Sequence, residues 1–170
     1  MSNSTLTNES VFSKLKEKFG DSIGENQESF GLLTFEVSKN DIHSVIEYIK
    51  NDAELQINYL TNIGAVHYPE NAGKELAVVY HLHSLVNNFR VRLKVYLSID
   101  NPEIDSITDL YACANWIERE TFDFYGVNFK GHPELVRILN EETMNYFPLR
   151  KEYQLEDGTR EDKDDRFFGR

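Results

Sequence analysis

Three carboxylates, Glu118, Glu120 and Asp123, stand within six residues of one another and flank Arg119. Paired carboxylates serve general acid and base chemistry when they converge on one reacting bond. Helical spacing argues against that use here. Glu118 and Glu120 are two positions apart, roughly 200° around a helix axis, and do not face a common substrate. Arg119 and Asp123 are four apart and are expected to pair with each other. Arg119 and Arg137 carry planar guanidinium groups suited to bidentate contact with carboxylates. The group reads as a charge network that orients a helix and docks a neighbour.

The histidines offer a second chemistry. His81 and His83 fall on one face of an expected strand, with His67 on an expected neighbour, a start on the tetrahedral set zinc needs. No fourth ligand is apparent, because the single cysteine, Cys113, is expected on the core-facing side of a long helix. Structural histidines on a sheet face are the favoured reading. His132, between Gly131 and Pro133, is expected to be a turn residue donating to a backbone carbonyl. The sequence holds no phosphate loop, dinucleotide fingerprint, Cys-x-x-Cys pair or Gly-x-Ser-x-Gly elbow.

Several elements must position these residues. Val11, Phe12, Leu15 and Phe19 form an apolar stripe after Asn8-Glu9-Ser10, stopped by Gly20. A strand is expected over Phe30 to Val37, then a helix capped by Asp41 with Ile42, Val45, Ile46 and Ile49 at helical spacing. Gln56 to Tyr68 reads as a strand with a bulge or bend at Gly64, and Asn71-Ala72-Gly73-Lys74 as a hairpin turn before a strand from Glu75 to His83. Phe89 to Leu97 alternates strictly, with Phe89, Val91, Leu93, Val95 and Leu97 on one side and Arg90, Arg92, Lys94 and Tyr96 on the other. Such alternation means one buried face and one solvated or partner-covered face. After Asn101-Pro102, Ser106 or Thr108 is expected to cap a long helix reaching Tyr125, with Leu110, Ala114, Ile117 and Phe124 on the sheet and Gly126 as C-cap. The fold class expected is α+β: a two-layer α/β sandwich whose mixed, mostly antiparallel sheet has helices on one face. Its order is α-β-α-β-β-β-α, followed by an extended C-terminal tail.

At 170 residues, 40% hydrophobic and 28% charged, the chain is sized and composed as one globular domain. A net charge of −11 argues against a nucleic-acid surface, and no apolar run approaches the roughly 20 residues of a membrane span. The polar start, Met1 to Glu9, lacks the pattern of a secretory signal, and one cysteine fits a reducing, cytoplasmic setting. From Asn140 onward the texture changes: nine acidic and six basic side chains surround Tyr146, Phe147, Pro148, Leu149 and a final Phe167-Phe168. Residues 1–139 are expected to form the compact domain, and 140–170 an arm that wraps a partner.

The stretch from Trp116 to Leu139 also carries a resemblance. It is similar to the C-type subunit, the 30 kDa subunit family, of the proton-pumping NADH:quinone oxidoreductase, respiratory complex I. The matching elements are Glu118-Arg119-Glu120, Phe122-Asp123, Phe124-Tyr125-Gly126, Val127-x-Phe129, Gly131-His132-Pro133 and Leu135-x-Arg137-Ile138-Leu139. A second element is Pro148-Leu149-Arg150-Lys151-Glu152-Tyr153. Two departures stand out: Tyr146-Phe147 precedes Pro148 where the family usually has Gly-His, and Gln154 stands where proline is common.

The resemblance implies a non-catalytic scaffold in the peripheral arm, on the cytoplasmic side of the bacterial plasma membrane. It would pack there against the complex I D-type subunit, the large one that helps form the quinone pocket. It implies no cofactor on this chain; FMN, Fe-S clusters and quinone belong to other subunits of an assembly that couples electron transfer to proton translocation. The docking surface it implies comprises Glu118, Arg119, Glu120, Asp123, Tyr125, Gly126, His132, Pro133, Arg137, Pro148, Leu149, Arg150 and Lys151, with the basic strand face added. Together these surfaces suit a permanent interface of roughly 2,000 Å² or more. The alternatives are the equivalent subunit of a membrane-bound energy-converting hydrogenase, or a free-standing soluble hydrolase using Glu118, Glu120 or His132.

Overall fold

The computed structural model describes residues 6–153. Helix α1 (Asn8–Phe19) opens three residues before the apolar stripe begins at Val11, through a reciprocal cap. The Thr7 hydroxyl accepts from the Ser10 N–H at 3.2 Å, and the Ser10 hydroxyl accepts from the Thr7 N–H at 3.1 Å. Two strands follow where one is expected. β1 (Ile23–Ser29) and β2 (Leu32–Val37) form a hairpin around Phe30-Gly31, both at positive φ. Phe30 therefore lies in the turn, fully exposed, rather than in the strand. β1 escapes a pattern search because Ile-Gly-Glu-Asn-Gln-Glu-Ser is a polar edge strand whose hydrophobic contribution to the core is Ile23.

Helix α2 (Ile42–Asn51) buries Ile42, Val45, Ile46 and Ile49 as its spacing dictates. Asp41 holds the cap position, but its carboxylate accepts from the Ser22 hydroxyl at 2.7 Å and not from a helix N–H. β3 (Tyr59–His67), β4 (Leu76–Ser84) and β5 (Phe89–Leu97) complete a sheet ordered β1-β2-β5-β4-β3. Only the β2–β5 pair is parallel, which makes the sheet mixed. The irregularity in β3 falls between Leu60 and Asn62, not at Gly64.

β5 alternates as its sequence dictates. Phe89, Val91, Leu93, Val95 and Leu97 are buried with Leu76, Val78, Tyr80 and Leu82 of β4 and Leu33 and Phe35 of β2. Val11 and Leu15 of α1 and the four α2 residues cover this face and close a single core. The other face of the sheet carries Arg90, Arg92, Lys94, His81 and His83.

The region after β5 departs most from expectation. β6 (Glu103–Asp105) and β7 (Asn128–Lys130) make a small parallel pair too short for any periodicity to reveal. The helix expected from Ser106 or Thr108 begins instead at Ala114, giving α3 (Ala114–Tyr125). Residues 106–113 form turns, the Leu110 and Tyr111 N–H groups both reaching the Ile107 carbonyl, and Glu118 ties their start to α3 by accepting from the Ile107 N–H and the Ser106 hydroxyl. Cys113 is thus a cap residue and is exposed, contrary to its expected core-facing position. Leu110 precedes the helix; Ala114 is buried, and Phe124 is half-buried outside the core. Gly126 ends α3 at φ 76°, its N–H on the Phe122 carbonyl at 2.8 Å, as a C-cap glycine should. The observed order is α-β-β-α-β-β-β-β-α-β, and the two-layer α+β architecture holds.

Phe35 is fully buried on β2 and meets Phe12 edge-on at 5.8 Å. Phe35→Ala should therefore cost about 3–5 kcal/mol, read as a lower urea midpoint at unchanged m-value.

Candidate functional site

α3 serves as a spine on which the irregular segment after β7 is laid. Asp123 is completely buried, and five hydrogen bonds converge on its carboxylate. Oδ2 accepts from the N–H groups of Ile138, Leu139 and Asn140 at 3.1, 2.8 and 3.0 Å. Oδ1 accepts from the Asn140 side-chain amide at 3.0 Å and from Arg137 Nη1 at 2.6 Å. Burial alone would raise its pKa, but the Asn140 and Leu139 N–H donors, the Asn140 amide and Arg137 hold it well below the usual carboxylate range.

Arg119, one turn earlier, does not pair with Asp123 as its spacing suggests. Its Nε donates to the Val136 carbonyl at 3.0 Å and its Nη2 to the Arg137 carbonyl at 3.3 Å. The reason lies in the segment itself: residues 136 and 137 present carbonyls and 138–140 present N–H groups to the same helix face. A cation and an anion four residues apart fill both needs. Nor do the arginines make bidentate carboxylate contacts. Arg137 spends one bond on the Asp123 carboxylate and gives the rest to the carbonyls of Asp123, Met144 and Tyr146 at 2.8 to 2.9 Å.

The tail motif closes over the end of α3. Phe147 lies between the guanidinium groups of Arg137 and Arg150, at 5.1 and 4.7 Å from its ring centre. Arg150 Nε donates to the Tyr125 carbonyl at 2.8 Å, and the Leu149 N–H reaches the Phe124 carbonyl at 3.2 Å. This packing requires glycine at 126: a Cβ there would stand 2.7 Å from Arg150 Nη2 and closer still to the Phe147 ring. Residues 140–153 are thus bound to α3, while residues 154–170 lie outside those described.

The other two signature carboxylates part company. Glu118 is fully buried, Oε1 accepting from the Ile107 N–H at 2.8 Å and Oε2 from the Ser106 hydroxyl at 2.7 Å. Burial pushes its pKa up to about 7 against the pull of those two donors, and the Asp109 charge adds to the rise. Glu120 is exposed on the far side of the helix. His132 donates from Nε2 to the Asn115 carbonyl at 3.1 Å while its Nδ1 accepts from the Glu134 N–H at 3.0 Å, the turn role its Gly-His-Pro setting suggests. Pro133 is exposed beside it.

The histidine trio is not brought together. His67 faces the core opposite Leu76 and accepts the Lys151 N–H at 3.0 Å on Nδ1. His81 and His83 lie on the other sheet face, His81 accepting from Arg92 Nε at 3.0 Å. Among the described residues no three potential ligands gather around a metal position.

Sequence spacing did not single out Ser106, Ile107, Asn140 or Phe147 as members of this network. For Asn140 no signal exists; for Phe147 the departure from Gly-His at the tail motif was the visible sign. Beside exposed Glu120, the α3 side turns several large apolar residues outward. Trp116, Val136, Leu139, Tyr146, Leu149 and Tyr153 are all exposed, with Trp116 stacked under Arg119 at 5.2 Å and the two tyrosines 4.9 Å apart.

Two outcomes follow from the buried acids. Asp123→Ala leaves the Arg137 charge without its carboxylate and three N–H groups without an acceptor, and should cost about 3–5 kcal/mol in a denaturant titration. Because the folded pKa of Asp123 is depressed, its contribution is present above the ordinary carboxylate range and is lost as pH falls below about 4. Glu118 acts in the opposite sense. Its raised pKa means the folded state holds a proton the unfolded chain has released, so stability falls from pH 4.5 to 7, by at most about 1.4 kcal/mol per pH unit. Glu118→Gln should flatten that slope in melts recorded across the window.

Known proteins share this chain's sequence and shape. Residues 35–159 match the family model described as respiratory-chain NADH dehydrogenase, 30 Kd subunit. The C-type NADH-quinone oxidoreductase subunit of Citrifermentans bemidjiense is 40% identical over 148 residues, spanning 87% of this chain and 90% of that protein. A C-type subunit of Rhizobium etli, the one numbered 2, is 42% identical over 142 residues, 83% of this chain and 74% of its own. The chain spans only half the length of the C-type subunit from Nocardioides sp., to which it is 39% identical over 125 residues, 74% of this chain. Among solved structures, a trypsin-resistant fragment of Nqo5 superposes with a TM-score of 0.64 at 27% identity, covering 75% of this chain and 98% of the fragment. A chain of an archaeal membrane-bound sulfane sulfur reductase, a respiratory membrane complex, superposes at 0.69 with 25% identity over 86% of this chain and 85% of its own. With the family model matched over residues 35–159 and relatives about 40% identical over most of the chain, this protein belongs to the 30 kDa subunit family of respiratory-chain NADH dehydrogenase.

Proposed function

We propose that this chain is a non-catalytic scaffold in the peripheral arm of an NADH:quinone oxidoreductase. It docks on the D-type subunit of the quinone site, at the cytoplasmic side of the bacterial plasma membrane. FMN, Fe-S clusters and quinone are held by other subunits, and the assembly couples their electron transfer to proton translocation. The relatives named as C-type subunits of NADH-quinone oxidoreductase support the assembly, and the Nqo5 likeness supports the fold it uses. Among the described residues no helix is long and apolar enough to cross a membrane, so attachment is assigned to partners.

One observation carries the scaffolding role. The charged signature is turned inward: Glu118 and Asp123 are buried with their oxygens committed to this chain's own N–H and O–H donors. Their work is to brace the turn segment, along with Arg119, His132, Arg137 and Arg150. Contact falls to what they hold outward: Trp116, Glu120, Val136, Leu139, Leu149 and the Tyr146–Tyr153 pair. Large aromatic residues on a rigid frame are the side chains that anchor interfaces. A hydrolase using Glu118, Glu120 or His132 is disfavoured by the same geometry, since Glu118 is sealed and Glu120 points away. The hydrogenase reading is disfavoured by the names of relatives near 40% identity.

The test is affinity purification of tagged protein from gently solubilised membranes of its host. The wild-type chain should co-purify with subunits of an NADH:quinone oxidoreductase. Trp116→Ala combined with Leu139→Ser should lower that recovery about tenfold or more, while the isolated chain melts within about 2–4 °C of wild type. Full recovery of the double variant, or recovery of the chain alone, would overturn the reading.

A further inference from the structure

The sheet face turned away from the helices is chemically unlike the rest of this acidic protein. β5 sends Arg90, Arg92 and Lys94 to it, and β4 adds His83 and His81 directly opposite Arg90 and Arg92. Among the described residues, the one carboxylate that β2, β3, β4 and β5 place there, Glu36, is already tied to Lys74 at 2.8 Å. Two ring nitrogens on this face, His81 Nδ1 and His83 Nε2, are buried without a hydrogen-bond partner. His81 is held neutral by burial and by the neighbouring Arg92 charge. Since its Nε2 accepts from Arg92, the unpartnered Nδ1 carries the hydrogen and is a donor awaiting an acceptor.

The shape matches the charge. Two open depressions, of about 600 and 330 Å³, meet at Arg92. The first runs along Phe30, Asn88, Arg90 and Arg92; the second continues over Gly64, Val79, His81 and Lys94. Small residues floor the second, leaving room for a backbone to lie close. At the far end of this trough the β1–β2 and β4–β5 turns sit side by side, because β2 and β5 run parallel with Leu33 opposite Val91. Phe30, Leu85 and Val86 stand exposed on those turns, with Tyr59 at the same end of β3. These four are separate from the exposed residues around α3.

We infer that this trough receives an extended acidic segment of a companion polypeptide, its carboxylates on the β5 cations and an apolar residue at the Phe30–Val86 end. Outward residues of a strand repeat at about 7 Å, so Arg90, Arg92 and Lys94 match carboxylates on alternate residues of an extended chain. A second copy of this chain is disfavoured as the occupant, since two whole chains of net charge −11 repel and a short segment adds far less repulsion. The inference rests on the proposed function only for the source of the segment, a neighbouring subunit; the surface and its chemistry stand apart from the α3 patch.

The experiment uses the purified full chain and a short fluorescein-labelled peptide, Leu-Phe followed by Glu-Ser repeats, read by fluorescence anisotropy. The peptide should bind, and raising NaCl from about 50 to 500 mM should weaken binding, as screening of exposed charge requires. Arg92→Gln with Lys94→Gln should weaken it about tenfold or more, while Trp116→Ala leaves it unchanged. Arg90→Gln with Lys94→Gln, which keeps the Arg92–His81 bond, guards against a folding artefact and should weaken binding similarly. Equal binding of the Gln-Ser counterpart, or no loss in either variant, would overturn the inference. So would retention on phosphatidylglycerol vesicles in place of the peptide. Peptide binding in a chain that fails to co-purify with respiratory subunits would uphold this surface and reject the proposed assembly instead.

Discussion

A length of chain without regular structure must still satisfy its backbone, and residues 136–140 do so on two side chains of α3. Arg119 covers the carbonyls of Val136 and Arg137, and Asp123 gathers the N–H groups of Ile138, Leu139 and Asn140. A buried carboxylate accepting several N–H bonds is favourable only while every partner stays in place, so the arrangement is cooperative. It fixes the direction in which the chain leaves β7, and with it the position of everything up to Tyr153. Removing the buried Asp123 carboxylate leaves its N–H donors without their acceptor, and an unpaired buried polar group is costly.

From that constraint the remaining features of the site follow. With the segment anchored, Arg137 is presented to the carbonyls of Met144 and Tyr146, and the turn it stabilises delivers Phe147 onto Gly126. Arg150 then seals the end of α3 through the Tyr125 carbonyl, and the chain reaches β3 at His67 through Lys151. The exposed aromatic and aliphatic residues of the α3 side are held on a frame built from side-chain-to-backbone bonds. Such a frame lowers the entropy lost on docking, because the contact residues are ordered beforehand.

The two buried acids of α3 show how environment separates chemically similar groups. Asp123 meets a guanidinium and a row of N–H donors and stays ionised; Glu118 meets two donors in an apolar surround and is poised near neutrality. Neither is accessible to a substrate, and both tie irregular backbone to the helix. The protein therefore carries its charge in two ways: as internal braces around α3, and as a basic strip along β5 to which, among the described residues, strands β2 to β5 bring the single carboxylate Glu36.

Elements whose burial follows a period can be read from the residues alone. The α2 stripe, the alternation of β5 and the two-layer α+β plan were all legible, because one buried face forces a repeat of 3.6 or 2 residues. Gly126 as a helix stop and His132 as a turn donor were legible for local steric reasons. Tertiary structure decided the rest. The polar edge strand β1 and the short β6–β7 pair bury too little to leave a pattern, and residues 106–113, tied to α3 by Glu118, form turns before the helix begins at Ala114. Spacing alone paired Arg119 with Asp123, since both share a helix face. Which partner each charge takes is settled by backbone groups brought from 15 to 18 residues downstream, and no one-dimensional period encodes an encounter of that kind.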